Sequence, residues 1–227
     1  MKLSAIVPLP LSVAQHTASA FLPLAGQAPL VRIVGALLDA VADPARVVVA
    51  AAEPLVADVH AALADRMPVV VAVAGSATRA QCLSAGLGYL ADHGLSTTHV
   101  LVGDIGQPLV SAELCDRVIA ALADGVVVPT LPVTDSVKAV DARGSVIATV
   151  DRSTLATAQY PRGFAVEQLA QLLVRGTTER FDEIEEAVRA GVPITVVAGD
   201  PDGFRATLPA DAPFLEAVIA SRHQDSS

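Results

Sequence analysis

Tryptophan is absent, and aromatic residues make up only 3% of a 227-residue chain that is 52% hydrophobic. The core must therefore be filled by Val, Leu, Ile and Ala, a composition suited to a buried parallel sheet beneath Ala-rich helices. Cysteine is nearly missing as well. Cys82 and Cys115 stand in apolar, helix-like stretches without metal-ligand spacing, which excludes a disulfide framework and favours a reducing cytoplasm. Positive charge is short: 15 Lys and Arg against 24 Asp and Glu give a formal charge of −9. That balance excludes broad electrostatic binding to nucleic acid or anionic lipid, so any phosphate site must be local. No apolar segment reaches the ~20 uninterrupted residues needed to span a bilayer, and no membrane partner is expected. Lys2, the apolar run after it and Ala18-Ser19-Ala20 imitate a secretory signal, but Pro8 and Pro10 interrupt the run. The scarcity of cations is sharpest here, with no Lys or Arg between Lys2 and Arg32.

Against these absences stands a regular rhythm. Leu3 to Val7, Arg46 to Ala50, Val69 to Val73, His99 to Val102 and Val126 to Pro129 are short β-branched runs that predict buried strands. Between them, Leu30 to Val41, Pro54 to Ala64, Ala77 to Ala91 and Ala112 to Ala123 carry apolar residues at helical spacing. Repeated strand–helix–strand units predict right-handed crossovers and a Rossmann-like, doubly wound α/β fold with a mostly parallel sheet. After Pro132 the pattern changes. Ser136 to Val140 and Ser145 to Val150 alternate across Asp141-Ala142-Arg143-Gly144, the signature of a β-hairpin arm. Helices return at Val166 to Val174 and Phe181 to Ala190, followed by a strand at Ile194 to Val197 and a helix at Ala212 to Ala220. The expected organisation is one domain over residues 1–222, with an arm at about 133–162 and a frayed tail at 223–227.

In an open parallel sheet, chemistry is sought in the loops after the strands. Those loops carry Gly75-Ser76-Ala77-Thr78-Arg79 leading to Cys82, and Gly103-Asp104-Ile105-Gly106-Gln107-Pro108. Further on come Pro132-Val133-Thr134-Asp135-Ser136-Val137-Lys138, Asp151-Arg152, Gln159-Tyr160-Pro161-Arg162-Gly163-Phe164, Asp182-Glu183, and Asp200-Pro201-Asp202-Gly203-Phe204-Arg205-Ala206-Thr207. In order and spacing, from about Leu3 to about Ile219, they resemble the 2-C-methyl-D-erythritol 4-phosphate cytidylyltransferases, nucleotidyltransferases of isoprenoid precursor synthesis.

The resemblance implies that CTP and a small phosphorylated polyol are joined with release of pyrophosphate, with Mg²⁺ as cofactor. It implies catalytic roles for Asp104 and Arg205, with Asp104 also as the metal ligand. Nucleotide contacts would fall to Pro8, Gly75, Arg79, Cys82 and Gly103. Acceptor contacts would fall to Arg152, Thr134, Lys138, Tyr160, Asp182 and Thr207. The arm would pair with a second copy of the chain. Each position also has a plainer reading: an Asp at a turn for Asp104, a solvated hairpin for Arg152, a helix-surface Arg for Arg79 and a helix N-terminus for Asp182-Glu183.

The chain departs from the family pattern at several points. The family's Gly-rich loop with an Arg and a Pro-Lys pair is replaced by residues 8–21, which contain no glycine, and Ser19 stands at the lysine position. Gln107 replaces a basic residue, Tyr160 a Thr, and Arg205 a Lys. Because nucleotidyl transfer depends on cations and N–H donors around the phosphates, the expectation is a diverged family member with catalysis weak or lost. The alternatives are a non-catalytic sensor or dimerisation relative, or a transferase for another nucleotide or substrate.

Overall fold

A computed structural model describes residues 1–122, 125–175 and 181–225, with residues 223–225 described by their backbone. The expected helix end at Ala123 and the last two residues of the expected tail lie outside the described residues. The strands are β1 (Leu3–Leu9), β2 (Val47–Ala52), β3 (Val69–Val73), β4 (His99–Val102), β5 (Val126–Pro132), β6 (Val137–Val140), β7 (Val146–Val150), β8 (Ala156–Ala158), β9 (Arg162–Ala165) and β10 (Ile194–Ala198). The helices are α1 (Leu11–Ala14), α2 (Ala18–Phe21), α3 (Pro29–Val41), α4 (Val56–Ala62), α5 (Arg79–Asp92), α6 (Ala112–Ala120), α7 (Val166–Arg175), α8 (Glu183–Ala190) and α9 (Ala212–Asp225).

The main sheet has eight strands in the order β10-β5-β9-β4-β1-β2-β3, with β8 added on β5. Strands β1 to β4 pair in parallel, as do β5 and β10. Strands β8 and β9 run against them. The sheet is covered on both faces because its strands alternate side chains between the two. Ala5, Val7 and Leu9 pack with Leu30, Ile33, Val34 and Leu37 of α3 and Val118 of α6. Ile6, Val100, Val102 and Phe164 pack with Leu83 and Leu90 of α5, Leu169 and Leu172 of α7 and Ala187 of α8. A smaller cluster of Leu24, Leu109, Leu215 and Ile219 seats α9.

The two reversed strands are where the structure goes furthest beyond the periodicity. Strand β9 is four residues long and lies between β4 and β5, with Val102 opposite Arg162. Running antiparallel, it brings its first residues to the carboxyl end of the sheet. The hairpin β6–β7 forms a separate two-stranded sheet, with a bulge at Ala139/Val140. The last helix continues to Asp225, three residues into the segment expected as tail.

Candidate functional site

The strand order reverses at β1, since β2 and β3 lie on one side of it and β4 on the other. Such a reversal opens a crevice beyond the carboxyl ends of the flanking strands. Here the crevice lies past Leu9 on β1 and Val102 on β4.

On the β1 side the chain folds down rather than open. Pro10 leads into α1, and the Leu11 N–H donates to the Ala77 carbonyl at 3.0 Å, tying this loop to the one before α5. Leu9, Val13 and Ala20 are buried in the same cluster as α3, and Leu11, Ala14 and Phe21 pack against it. The N–H groups of Val13, Gln15, His16, Ser19, Ala20 and Phe21 all donate to carbonyls within the loop. Ser19 donates its hydroxyl to the His16 carbonyl at 2.8 Å. The segment thus carries no Lys or Arg, six of its amides are bonded within it, and Val13 and Ala20 fill the space beneath it.

On the β4 side, charges converge. Asp104 accepts the Gly106 N–H at 2.8 Å and an Arg205 N–H at 3.1 Å on one oxygen, and an Arg79 N–H at 3.0 Å on the other. Arg79, the first residue of α5, also donates to Glu183 at 2.7 Å. A cation at a helix N-terminus is disfavoured by the helix dipole, and these two carboxylates offset that. Glu183, whose side chain is 0% exposed, also receives Arg162 at 2.6 Å and the Tyr160 hydroxyl at 3.1 Å. The Arg162 and Arg79 guanidinium groups both lie over the Tyr160 ring, 4.1 and 5.1 Å from its centroid, as cation–π contacts. Arg162 also bonds Asp182 at 3.0 Å, and Asp182 caps α8 by accepting the Ile184 and Glu185 N–H groups.

These contacts shift proton affinities. Burial alone would lower the Arg79 pKa, but Glu183, Tyr160 and Asp104 outweigh it and the guanidinium is held more firmly protonated. Burial pushes the Tyr160 phenol up despite the opposing pull of Arg79. Burial also opposes ionisation of Asp182, yet Arg162 and the α8 amides carry its pKa below the ordinary carboxylate value.

Among the expected site residues, the structure brings Asp104, Arg79, Arg205, Tyr160 and Asp182 together. It does not bring all of them there. Arg152, Thr134 and Lys138 are exposed or half-buried on the arm, where Arg152 donates to the Thr134 carbonyl and Lys138 to the Thr149 hydroxyl at 2.9 Å. The backbone of Thr207 pairs with Asp211 at the start of the segment leading to α9. Pro8 is buried within β1, and Cys82 is buried with its thiol directed to the Ala77 carbonyl at 3.8 Å. Gly103 faces the core, where a β-carbon would meet Ile33, Leu37 and Val7, while Gly75 adopts a left-handed φ of 74° in the turn before α5.

Two members of the cluster were not singled out from the sequence as site residues: Arg162, and Glu183 as the buried carboxylate that joins Arg79 to Arg162. An Arg at the head of an apolar Gly-Phe-Ala strand was the available signal. Gln107 has a structural task too, accepting the Tyr160 N–H at 2.6 Å from a buried position. Gln159 is buried and bonds the Asp200 N–H and the Asp200 and Gly203 carbonyls at 2.8 to 3.0 Å, which fixes the loop carrying Arg205.

Mg²⁺ demands oxygen ligands in near-octahedral order. Both Asp104 oxygens are already engaged by N–H donors, and no group of three or more His, Cys, Asp or Glu residues able to hold a metal occurs among the described residues. A Mg²⁺ ion carried in with substrate phosphates needs only one or two protein carboxylates, and at Asp104 it would share that carboxylate with Arg79 and Arg205. A cleft of about 550 Å³ bounded by α3, α6 and α9 contains none of the cluster residues.

Comparison with known proteins bears on this edge of the sheet. The family model described as 2-C-methyl-D-erythritol 4-phosphate cytidylyltransferase matches residues 12–221. The bifunctional enzyme IspD/IspF of Paracoccus denitrificans is 39% identical over 200 residues, 87% of this chain and 50% of its own length, so the chain spans about half of that relative. The 2-C-methyl-D-erythritol 4-phosphate cytidylyltransferase of Rhodococcus jostii is 33% identical over 207 residues, 90% of this chain and 88% of its own. The crystal structure of the cytidylyltransferase from Thermus thermophilus superposes with a TM-score of 0.73 at 27% identity, covering 97% of this chain and 100% of that one. A crystal structure of 4-diphosphocytidyl-2C-methyl-D-erythritol synthase, 24% identical, shares the fold with a TM-score of 0.79, covering 96% of this chain and 100% of that one. A match that runs from α1 into α9, through the loops of the crevice, decides the lineage: the chain belongs to the 2-C-methyl-D-erythritol 4-phosphate cytidylyltransferase family.

Proposed function

We propose that this chain is a cytidylyltransferase relative in which transfer from CTP to a phosphorylated sugar alcohol is weak or lost. One observation carries the reading. The segment after β1, at the switch point of the sheet, buries Val13 and Ala20 against the cluster that holds Leu9 and spends the amides of Val13, Gln15, His16, Ser19, Ala20 and Phe21 internally. Developing charge on a triphosphate needs preorganised cations and N–H donors, and losing a single donor typically costs about 10²- to 10³-fold in rate. Here that side carries no Lys or Arg and bonds six of its amides internally. The test is pyrophosphate release from CTP, 2-C-methyl-D-erythritol 4-phosphate and Mg²⁺, run beside the Rhodococcus jostii relative. The expected rate is below about 1% of the relative's, and a rate within about tenfold of it sinks the proposal.

A second reading, transfer of another nucleotide or to a less charged acceptor, is favoured by the convergence of Arg79 and Arg205 on Asp104. Pyrophosphate release from ATP, GTP or UTP, but not CTP, would select it. For assembly, the exposed Val140, Val146 and Ile147 of the arm support pairing with a second copy, read out as a dimer by sedimentation that these three residues changed to Ser convert to monomer.

A further inference from the structure

The cluster beyond β4 is balanced within itself: Arg79, Arg162 and Arg205 face Asp104, Asp182 and Glu183. Its members are not held equally. The Arg79 and Arg162 side chains are 15% and 6% exposed and each bonds two carboxylates, whereas the Arg205 side chain is 60% exposed and, among the described residues, is paired with Asp104 alone. Arg205 is the one of the three that can leave without stranding a buried charge.

Its seat is shaped for it. The Arg205 guanidinium lies across Gly106, where a β-carbon would stand 2.5 Å from Nη1. The Ala206 N–H donates to the Gly106 carbonyl at 2.8 Å, so the two loops are joined directly beneath the ion pair. Gln159 fixes the other end of the Arg205 loop from a buried position, and Gly199 leaves room for it, since a β-carbon there would be 2.3 Å from the Gln159 side-chain oxygen. Each of these details keeps Arg205 on Asp104.

The geometry points to an autoinhibitory latch: Asp104 occupies Arg205, seated over Gly106, as an internal stand-in for an anionic ligand, and a phosphate-bearing molecule reaches this edge by taking Arg205 away from Asp104. This rests on the proposed reading of a crippled nucleotide site, but it concerns anion binding and needs no turnover. Asp104 is then a competitor for the ligand's phosphate instead of a support for it.

Inorganic pyrophosphate is the probe, titrated calorimetrically into the full chain in EDTA. Asp104→Asn frees Arg205 and adds one positive charge to the cluster, and the expected result is about fivefold or more tighter binding than wild type, the scale of one exposed ion pair. Gly106→Ala, whose β-carbon would stand 2.5 Å from Arg205 Nη1 and 2.9 Å from Asp104 Oδ1, forces the pair apart while keeping both charges and is expected to tighten binding in the same direction. Adding Arg205→Gln to Asp104→Asn removes the gain. Equal or weaker binding by Asp104→Asn overturns the latch, and if that variant does not fold, unchanged binding by Gly106→Ala overturns it. CTP turnover by the wild type would refute the proposed function while leaving the pyrophosphate result to decide the latch.

Discussion

The loop after β1 and the loops after β3 and β4 share one edge of the sheet, and they fail to offer charge to a ligand for opposite reasons. The first has none to offer. Val13 and Ala20 are turned into the core, its exposed side chains Ser12, Gln15, His16 and Thr17 include no Lys or Arg, and six of its amides close short turns within it. The second is rich in charge, but nearly all of it is consumed by internal partners, with Glu183 fully buried under two guanidinium groups. A cation lost from sequence and a cation neutralised in space have the same effect on an arriving phosphate. They differ in what they do for the fold, because a buried ion network is stabilising only while it is complete.

That contrast can be attacked from the charged side first. Glu183→Ala leaves Arg79 and Arg162 facing each other across a buried gap and is expected to cost about 3–5 kcal/mol of unfolding free energy in urea. A loss below about 1 kcal/mol would mean the network is dispensable and the two halves are not different in kind. On the apolar side, Leu9→Ala should cost about 2–4 kcal/mol through the cavity it leaves, with pyrophosphate affinity unchanged. If affinity moves and stability does not, the loop is a ligand loop after all.

The smallest effect probes the joint between the halves, where Cys82 lies beneath the turn that receives the Leu11 N–H. Burial raises its thiol from 9.0 to about 11, so the folded chain keeps a proton that the unfolded chain has released. That stability is complete below about pH 9 and is lost as pH rises through about 11. The stability of Cys82→Ala should accordingly fall less steeply than that of wild type over this window, by up to about 2–3 kcal/mol in urea unfolding. Parallel slopes would show that the joint is wet.

Much of the fold was legible in the order of the residues. The strands expected at Leu3, Val69 and His99 begin where β1, β3 and β4 begin, because β-branched runs between helical patterns admit little else. The hairpin signal at Asp141 to Gly144 placed β6 and β7 within a residue or so. Strands β8 and β9 were not legible. Three or four residues are too few to show a period, and Arg162-Gly163-Phe164 looks like a loop motif until it is known to lie between two strands. At the site, Asp104, Arg79, Arg205 and Asp182 were all singled out from the sequence, while Arg162 and the joining role of Glu183 emerged only from packing.

By itself the sequence determined the alternation of strands and helices, the lineage, and the absence of any cation between Lys2 and Arg32, since these depend on residue identity and local spacing alone. Only the tertiary structure decided which charges cancel. Arg79 meets Glu183 across 104 positions, and Arg205 meets Asp104 across 101. Such pairs exist because sheet register and the reversed entry of β9 bring distant loops to one edge, and a Coulomb interaction responds to distance in space, not along the chain.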